Sequence, residues 1–177
     1  MKAGGRHRNF SSGFSLIELL FVIAIVGLLF AFGAPSFSAW LKNMQVRNAA
    51  ESIMNGLQFA RTEAVRRNEV ISFAMFPPDA DWTVSTVIVV ETLQSFASAE
   101  GAEQAEVATT DAVVTFNGLG KTDLAANALI QVTNPTGGAV CGTGVDEIRC
   151  LNVTVSVGGQ IKMCDPAIAT PGDSRRC

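Results

Sequence analysis

The sequence predicts an α+β chain in which one long N-terminal α-helix, half apolar and half amphipathic, packs on an antiparallel β-sheet. Three observations support this prediction: an apolar run near the N-terminus, a helical apolar stripe after it, and β-branched segments separated by turn residues from residue 69 onward. The 177 residues suit one domain of ordinary size, or one small domain plus an anchoring segment.

The apolar run covers residues 14–34, and Glu18 is its only charged residue. A helix of this length rises about 30 Å, the thickness of the hydrocarbon core of a bilayer. Lys2, Arg6 and Arg8 precede the run without any acidic residue. The positive flank predicts that the N-terminus stays in the cytoplasm and that the rest of the chain crosses the membrane.

The helical pattern continues beyond Pro35, which we expect to kink the helix without necessarily ending it. Apolar residues recur there at alternating spacings of four and three: Val46, Ala50, Ile53, Leu57, Ala60 and Ala64. This spacing predicts an amphipathic helix over about residues 36–67 with its stripe on the chain's own sheet. A coiled-coil partner is the alternative, but small residues stand where a zipper needs Leu or Ile.

The remainder of the chain predicts an antiparallel sheet over about residues 69–164 and a turn-rich tail at 164–177. The expected strand segments are 69–76, 81–93, 112–123 with a glycine-containing turn, 128–133, and a hairpin at 149–164 around Gly158-Gly159. The acidic stretch 95–111 is low in large apolar residues, which predicts a long solvated loop or a weak hairpin.

All four cysteines lie near the C-terminus: Cys141, Cys150, Cys164 and Cys177. This clustering indicates two disulfides and an oxidising compartment. Three pairings are possible, and we predict the nearest-neighbour pairing, Cys141–Cys150 and Cys164–Cys177, because it closes two short loops without tangling. A zinc site is disfavoured because no CxxC pair is present and the only histidine, His7, precedes the apolar run.

No catalytic set is apparent, and we expect neither an enzyme nor a bound cofactor. A Ser-His-Asp triad would have to use His7. The stretch GLGKT at 118–122 lacks the spacing of a phosphate-binding loop and a following helix.

Charge is unevenly distributed along the chain. Residues 77–147 contain ten acidic residues and one basic residue, Lys121, whereas residues 148–177 contain four basic and two acidic residues. An acidic middle argues against a dedicated nucleic-acid-binding protein and leaves only the tail mildly cationic.

An ordinary signal peptide would place its small-residue cleavage site after the apolar run. Here Gly13 stands before the run, so that cleavage after Gly13 would keep the helix and make Phe14 the new N-terminus. The stretch GFSLIELL, residues 13–20, resembles the class III signal of type IV pilins and pseudopilins: a short basic leader, Gly, Phe, and Glu at the fifth mature position. Residues 56–70, 114–121 and 158–177 resemble the GspH/FimT family of minor pilins and pseudopilins.

The resemblance implies the type IV pilin fold with a leader at 1–13, a membrane-spanning and assembly segment at 14–35, and a periplasmic domain at 36–177. Gly13 would precede the cut made by prepilin peptidase, and Phe14 would carry the N-methyl group. Glu18 would face the free N-terminal amine of an adjacent subunit, and Pro35 falls at mature position 22, where pilins often kink. An opposite charge would relieve the cost of a buried acid, up to about 3 kcal/mol on insertion scales.

The resemblance therefore implies a minor pilin of a type IV pilus in the bacterial inner membrane, with a contribution to DNA uptake as a further expectation. The alternative is a GspH-like minor pseudopilin of type II secretion. Expected partners are other pilin subunits, prepilin peptidase, the inner-membrane assembly platform and membrane lipid.

Family members linked to transformation carry a basic GRxR-type motif near the C-terminus that contacts DNA. Residues 159–162 read Gly-Gln-Ile-Lys here, so both arginines are replaced and only Lys162 keeps a charge. Lys162, Arg175 and Arg176 are the candidate DNA contacts, since phosphate binding needs clustered cations. The alternative is that all three are solvated tail charges.

Overall fold

The computed structural model describes residues 14–135 and 148–177 of the chain. It divides into two compact units, Met1–Pro35 and Ser36–Cys177. The predicted α+β class is confirmed: one long helix is followed by strands that pair in antiparallel fashion.

The helix α1 comprises Leu16–Arg67, so Pro35 does not end it. At its start the Ser15 hydroxyl accepts the Glu18 amide at 3.2 Å, which satisfies one of the free N–H groups of the first turn. At its end Asn68 adopts a left-handed conformation (φ 53°), a common way to terminate a helix. Within the two described ranges, no helix is both long enough and apolar enough to cross a membrane.

The predicted apolar stripe of α1 is confirmed, since all six of its side chains are at most 1% exposed. Gly56 lies on the same buried surface. A Cβ atom there would stand 2.8 Å from the rings of Phe73 and Trp82, so the missing side chain lets the sheet approach the helix closely.

Within the described residues, eight strands follow the helix in chain order: β1 Ile71–Met75, β2 Trp82–Thr86, β3 Thr92–Phe96, β4 Glu106–Thr109, β5 Val113–Phe116, β6 Ala128–Thr133, β7 Leu151–Val155 and β8 Ile161–Cys164. They form two four-stranded sheets, ordered β3-β2-β1-β5 and β4-β6-β7-β8. The structure therefore has two sheets where the sequence pattern suggested one. Inward-facing residues of both sheets and the stripe of α1 belong to the same apolar core.

The expectation that residues 81–93 form one strand is wrong. The chain reverses at 87–90, because the Thr86 amide donates to the Glu91 carbonyl at 3.1 Å and the Thr86 hydroxyl accepts the Glu91 amide at 3.2 Å. The four aliphatic side chains of this turn are 48–86% exposed. β-Branched composition indicates extended backbone, but it does not show where two strands are joined.

The stretch 95–111 is more ordered than a solvated loop or weak hairpin. It contains the end of β3, a short 3₁₀ helix at Ser98–Glu100, and the whole of β4, which pairs with β6. Ala102, Ala105 and Val107 are at most 4% exposed. Small side chains reach the core here, which a search for large apolar residues does not detect.

Candidate functional sites: the N-terminal segment and the C-terminal tail

The first candidate site is the N-terminal part of α1, where apolar side chains face outward. Every large apolar side chain from Phe14 to Phe30 is exposed, from 43% at Val26 to 84% at Phe14. Gly13, the residue predicted to precede cleavage, lies outside the described residues. The segment thus offers an apolar surface that its own unit does not cover.

Glu18 lies in the first turn of α1 and is exposed. A carboxylate at this position is favoured by the positive end of the helix dipole. Among the residues that the structure describes, no cation forms an ion pair with it.

The second candidate site is the tail after β8. Cys164 and Cys177 form a disulfide with their Cα atoms 5.1 Å apart, the pair that nearest-neighbour pairing predicts. The Asp165 amide donates to the Arg175 carbonyl at 2.7 Å, and Asp165 forms an isolated parallel bridge with Arg176. The tail thus folds back beside β8. Cys150 is also disulfide-bonded, whereas its predicted partner Cys141 lies outside the described residues.

The folded tail brings the three candidate DNA-contacting residues together. The Lys162 ammonium donates to the backbone carbonyl of Arg176 at 3.0 Å. Arg175 donates two hydrogen bonds to Asp173, at 3.1 and 2.8 Å, and these bonds lower the pKa of Asp173 to about 2. The charge of Arg175 is therefore largely compensated by Asp173, whereas Lys162 and Arg176 form no ion pair with the residues that the structure describes.

The structure also explains the GLGKT stretch, which is a packing element. The Arg61 guanidinium donates to the Gly120 carbonyl at 3.1 Å. The β7–β8 turn packs closely against the same carbonyl group. A Cβ atom added at Gly159 would be 2.0 Å from the Gly120 oxygen. In the sequence, Arg61 is simply one of the residues of α1 that do not belong to the apolar stripe. The spacing of residues within α1 cannot reveal its contact with Gly120, which is 59 residues away.

A groove of about 320 Å³, which the sequence pattern does not predict, lies between α1 and the tail. Its lining includes Trp40 and Met44 of α1, Arg149 before β7, and Asp165 and Arg175 of the tail. The Asn43 side-chain oxygen accepts the Arg149 amide at 2.7 Å, which fixes this side of the groove to the helix. The sequence feature that could have indicated this groove is the set of apolar residues of α1 that do not belong to the buried stripe.

The family model for the type II transport protein GspH matches residues 49–159, which is more than half of the chain. The chain belongs to the GspH family. The prokaryotic N-terminal methylation motif matches residues 8–34 and covers the GFSLIELL stretch. Together these matches confirm the predicted type IV pilin-like GspH/FimT family.

Among sequence relatives, the type IV major fimbrial protein FimA of Dichelobacter nodosus is 30% identical over 105 residues. The match covers 59% of this chain and 61% of that protein, so the chain spans about three fifths of the relative's length.

Two solved structures share the fold. The type IV minor pilin FimU of Pseudomonas aeruginosa superposes with a TM-score of 0.51 at 16% identity, over 67% of this chain and 87% of FimU. The minor pseudopilin EpsH of the Vibrio cholerae Type 2 Secretion System superposes with a TM-score of 0.53 at 11% identity, over 70% of this chain and 99% of EpsH. Both confirm the predicted pilin fold.

Proposed function

We propose that this chain is a minor pilin of a type IV pilus. It is made as a prepilin, cleaved after Gly13, methylated on the amine of Phe14, and incorporated into the filament through residues 14–35. One observation carries the proposal: Glu18, an exposed carboxylate in an exposed apolar helix, lies within the match to the N-terminal methylation motif.

The exposed segment indicates that the chain requires an apolar environment outside its own unit. Apolar surface in water costs about 25 cal/mol per Å², so lipid or neighbouring helices stabilise it. We propose that residues 14–35 insert in the inner membrane before assembly and that the oxidised tail lies in the periplasm. In the filament, Glu18 pairs with the N-terminal amine of the next subunit, which compensates its charge in apolar surroundings.

Processing tests the first step. Gly13→Ala is expected to block cleavage by prepilin peptidase, so that the chain in cells keeps the mass of the precursor. Gly4→Ala is the matched control, because it makes the same change elsewhere in the leader and is expected to leave cleavage intact. Normal processing of Gly13→Ala would contradict the proposal.

Assembly tests the second step. Glu18→Val is expected to leave the membrane-associated, processed subunit intact but to remove it from sheared filaments. Glu103→Val changes an exposed carboxylate in the acidic stretch and is the control for loss of charge alone. Normal incorporation of Glu18→Val would show that this pair does not hold the subunit in register.

The alternative is that the chain is a minor pseudopilin of the type II secretion system. The ending MCDP…RRC resembles FimT and favours the pilus, whereas the likeness to EpsH and the family description favour the pseudopilus. Deletion scored together for twitching, transformation and exoprotein secretion separates the two. Loss of twitching with normal secretion supports the pilus, and the reverse result supports the pseudopilus.

A second candidate function is contact with DNA through the tail. It is favoured by the disulfide and by the Lys162–Arg176 hydrogen bond, which hold two further cations beside Arg175. The detergent-solubilised full chain should shift DNA in a gel at low salt. The triple variant Lys162→Ala/Arg175→Ala/Arg176→Ala should abolish the shift, whereas Lys42→Ala should not. The absence of a shift at low salt would exclude this function, since binding to phosphates strengthens as salt is removed.

A further inference from the structure

A polar pocket of about 420 Å³ lies between α1 and β3, and none of its lining residues belongs to the two candidate sites described above. This volume is within the range of sites that bind small molecules, about 300–1,000 Å³. The lining residues that bear on its chemistry are Asn48, Ser52, Asn55, Gln94, Phe96 and Glu100.

The wall formed by β3 departs from the pattern of the sheet. β3 is an edge strand, and its residues Gln94 and Phe96 pair with Val84 and Trp82 of β2. Paired residues lie on the same face, and Val84 and Trp82 are 0% and 2% exposed because they face the core. An exposed glutamine thus occupies an inward-facing position, which packing of the core does not explain.

The wall formed by α1 is polar in the same way. Asn48, Ser52 and Asn55 recur at spacings of four and three residues, so their side chains lie in one row along the helix. Asn48 and Asn55 are exposed. Hydrogen-bonding side chains therefore line the pocket on both the helix and the strand.

Hydrogen bonds outside the pocket hold these walls in place. The Asn48 side-chain amide donates to the Gly101 carbonyl at 3.3 Å, and the Ser98 amide donates to the Asp81 carboxylate at 2.6 Å. Both bonds fix the short 3₁₀ helix that ends at Glu100. The pocket is therefore preformed, which reduces the ordering cost of binding.

The groups that face the pocket retain hydrogen-bonding capacity. In the part of the chain that the structure describes, the side chains of Asn55, Gln94 and Glu100 form no hydrogen bond or ion pair. The Ser52 hydroxyl accepts the Trp82 indole N–H at 3.0 Å and keeps its own hydrogen to donate. An amide side chain both donates and accepts, so the pocket offers donors and acceptors together.

An aromatic ring lies beside these polar groups. Phe96 is half-buried, and its ring stacks on that of Trp82 with the centroids 6.1 Å apart and an interplanar angle of 17°. The buried Trp82 thus supports Phe96 from behind. A pyranose presents hydroxyls that donate and accept, and a C–H face that packs on an aromatic ring.

The charge of the pocket restricts the kind of sugar. Its charged lining residues are both acidic, Glu51 and Glu100. Glu51 is paired with Arg47 at 2.7 Å, whereas Glu100 is unpaired within the described residues. Carboxylates accept hydrogen bonds from hydroxyls but repel an anion. We propose that this pocket binds an uncharged pyranose sugar, with Asn55 and Gln94 bonding its hydroxyls and Phe96 contacting its C–H face.

Saturation-transfer NMR tests this inference on the full chain, solubilised in a zwitterionic detergent that contains neither sugar nor aromatic groups. The probes are methyl β-glucoside, methyl β-galactoside and methyl α-mannoside, and aromatic protons of the protein are irradiated. We expect the ring protons on one face of at least one glycoside to be saturated, with millimolar affinity. Methyl β-glucuronide, which carries a carboxylate, should bind more weakly than the glucoside.

Two variants locate the binding. Asn55→Ala/Gln94→Ala should weaken the affinity about tenfold or more, because two hydrogen-bonding groups are lost. Phe96→Leu keeps an apolar side chain and should remove the saturation of the sugar face. Gln131→Ala, which changes an exposed glutamine of β6, is the matched control and should bind like the wild type.

The double variant changes exposed side chains that make no hydrogen bonds, so it tests the site even if Phe96→Leu is unstable. Saturation of none of the three glycosides, or equal affinity in the wild type and the double variant, would overturn the inference. Tighter binding of the glucuronide would overturn the preference for an uncharged sugar. A signal from an extended alanine–threonine peptide alone would assign the pocket to strand pairing at the edge of β3 and would also overturn it.

Discussion

The two ends of α1 are both apolar, but they meet opposite environments. From Phe14 to Phe30 the large side chains are exposed, whereas from Val46 to Ala64 the stripe is buried against the two sheets. Burial in the second region stabilises the domain, and exposure in the first leaves apolar surface for lipid or other subunits. One helix thus serves folding at one end and, we propose, assembly at the other.

The side chains differ in a way that fits these roles. The buried region uses small residues among the large ones, including Ala50, Ala60 and Ala64, so that the strands approach the helix closely. The exposed region is dominated by Leu, Ile, Val and Phe, which favour lipid. Variants in the two regions and in the tail test this contrast.

Removing a large side chain should affect the two regions very differently. Leu57→Ala creates a cavity in the core and should lower the free energy of unfolding by about 2–5 kcal/mol. Leu20→Ala makes the same change on the exposed region and should leave unfolding of the domain unchanged. Chemical denaturation of the detergent-solubilised chain, followed by Trp82 fluorescence, measures both. Equal losses of unfolding free energy in the two variants would contradict the predicted difference between the buried and the exposed region of α1.

The close packing beyond the buried end of α1 should depend on one glycine. Gly159 has φ +80°, and its Cβ would overlap the Gly120 carbonyl, so Gly159→Ala should cost about 3 kcal/mol from left-handed strain and displaced backbone. Gly172 has φ +86°, but a Cβ added there would meet no atom within 4 Å, so Gly172→Ala should cost only about 1 kcal/mol. Thermal melting of both variants gives the comparison, and a smaller loss at Gly159 would contradict it.

The tail disulfide should stabilise the domain without affecting the N-terminal region. Cys177→Ser opens the loop closed with Cys164 and should lower the free energy of unfolding by up to about 3 kcal/mol. Membrane association of residues 14–35 should not change, which carbonate extraction can check. Arg176→Ala is the control for a change in the tail that keeps the disulfide.

The smallest effect concerns the ion pairs near the end of α1. Hydrogen bonds from Arg66 and Arg67 lower the pKa of Glu63 from 4.5 to about 2. A lowered pKa contributes stability that is present above about pH 5 and is lost as the pH falls towards 2. Arg66 is 62% exposed, so solvent screening limits the contribution to about 1 kcal/mol.

Glu63→Gln should therefore be less stable than the wild type at pH 7, and the difference should disappear near pH 2. Melting curves at several pH values measure it. Glu51→Gln, which breaks the more exposed pair with Arg47, should show a weaker dependence. A constant difference across this range would exclude the ion pairs as its cause.

Much of the fold could be predicted because it depends on local periodicity. The buried stripe, the strands at 71–75 and 128–133, and the β7–β8 hairpin each repeat with the period of their own element. The turn at 87–90 and the buried strand β4 were missed, because their placement depends on Thr86 and Glu91 and on pairing with β6. The compensation of Arg175 by Asp173 was also missed, since charge counts do not show which side chains meet.

The sequence was enough to indicate the family and a long helix followed by antiparallel strands, and to suggest the residues proposed for processing and assembly, because each depends on neighbours along the chain. The tertiary structure decided that the strands divide into two sheets, that Arg61 and Gly159 converge on Gly120, and that the tail folds back on β8. These features join residues distant in sequence, and their contacts become favourable only when the core brings the residues together.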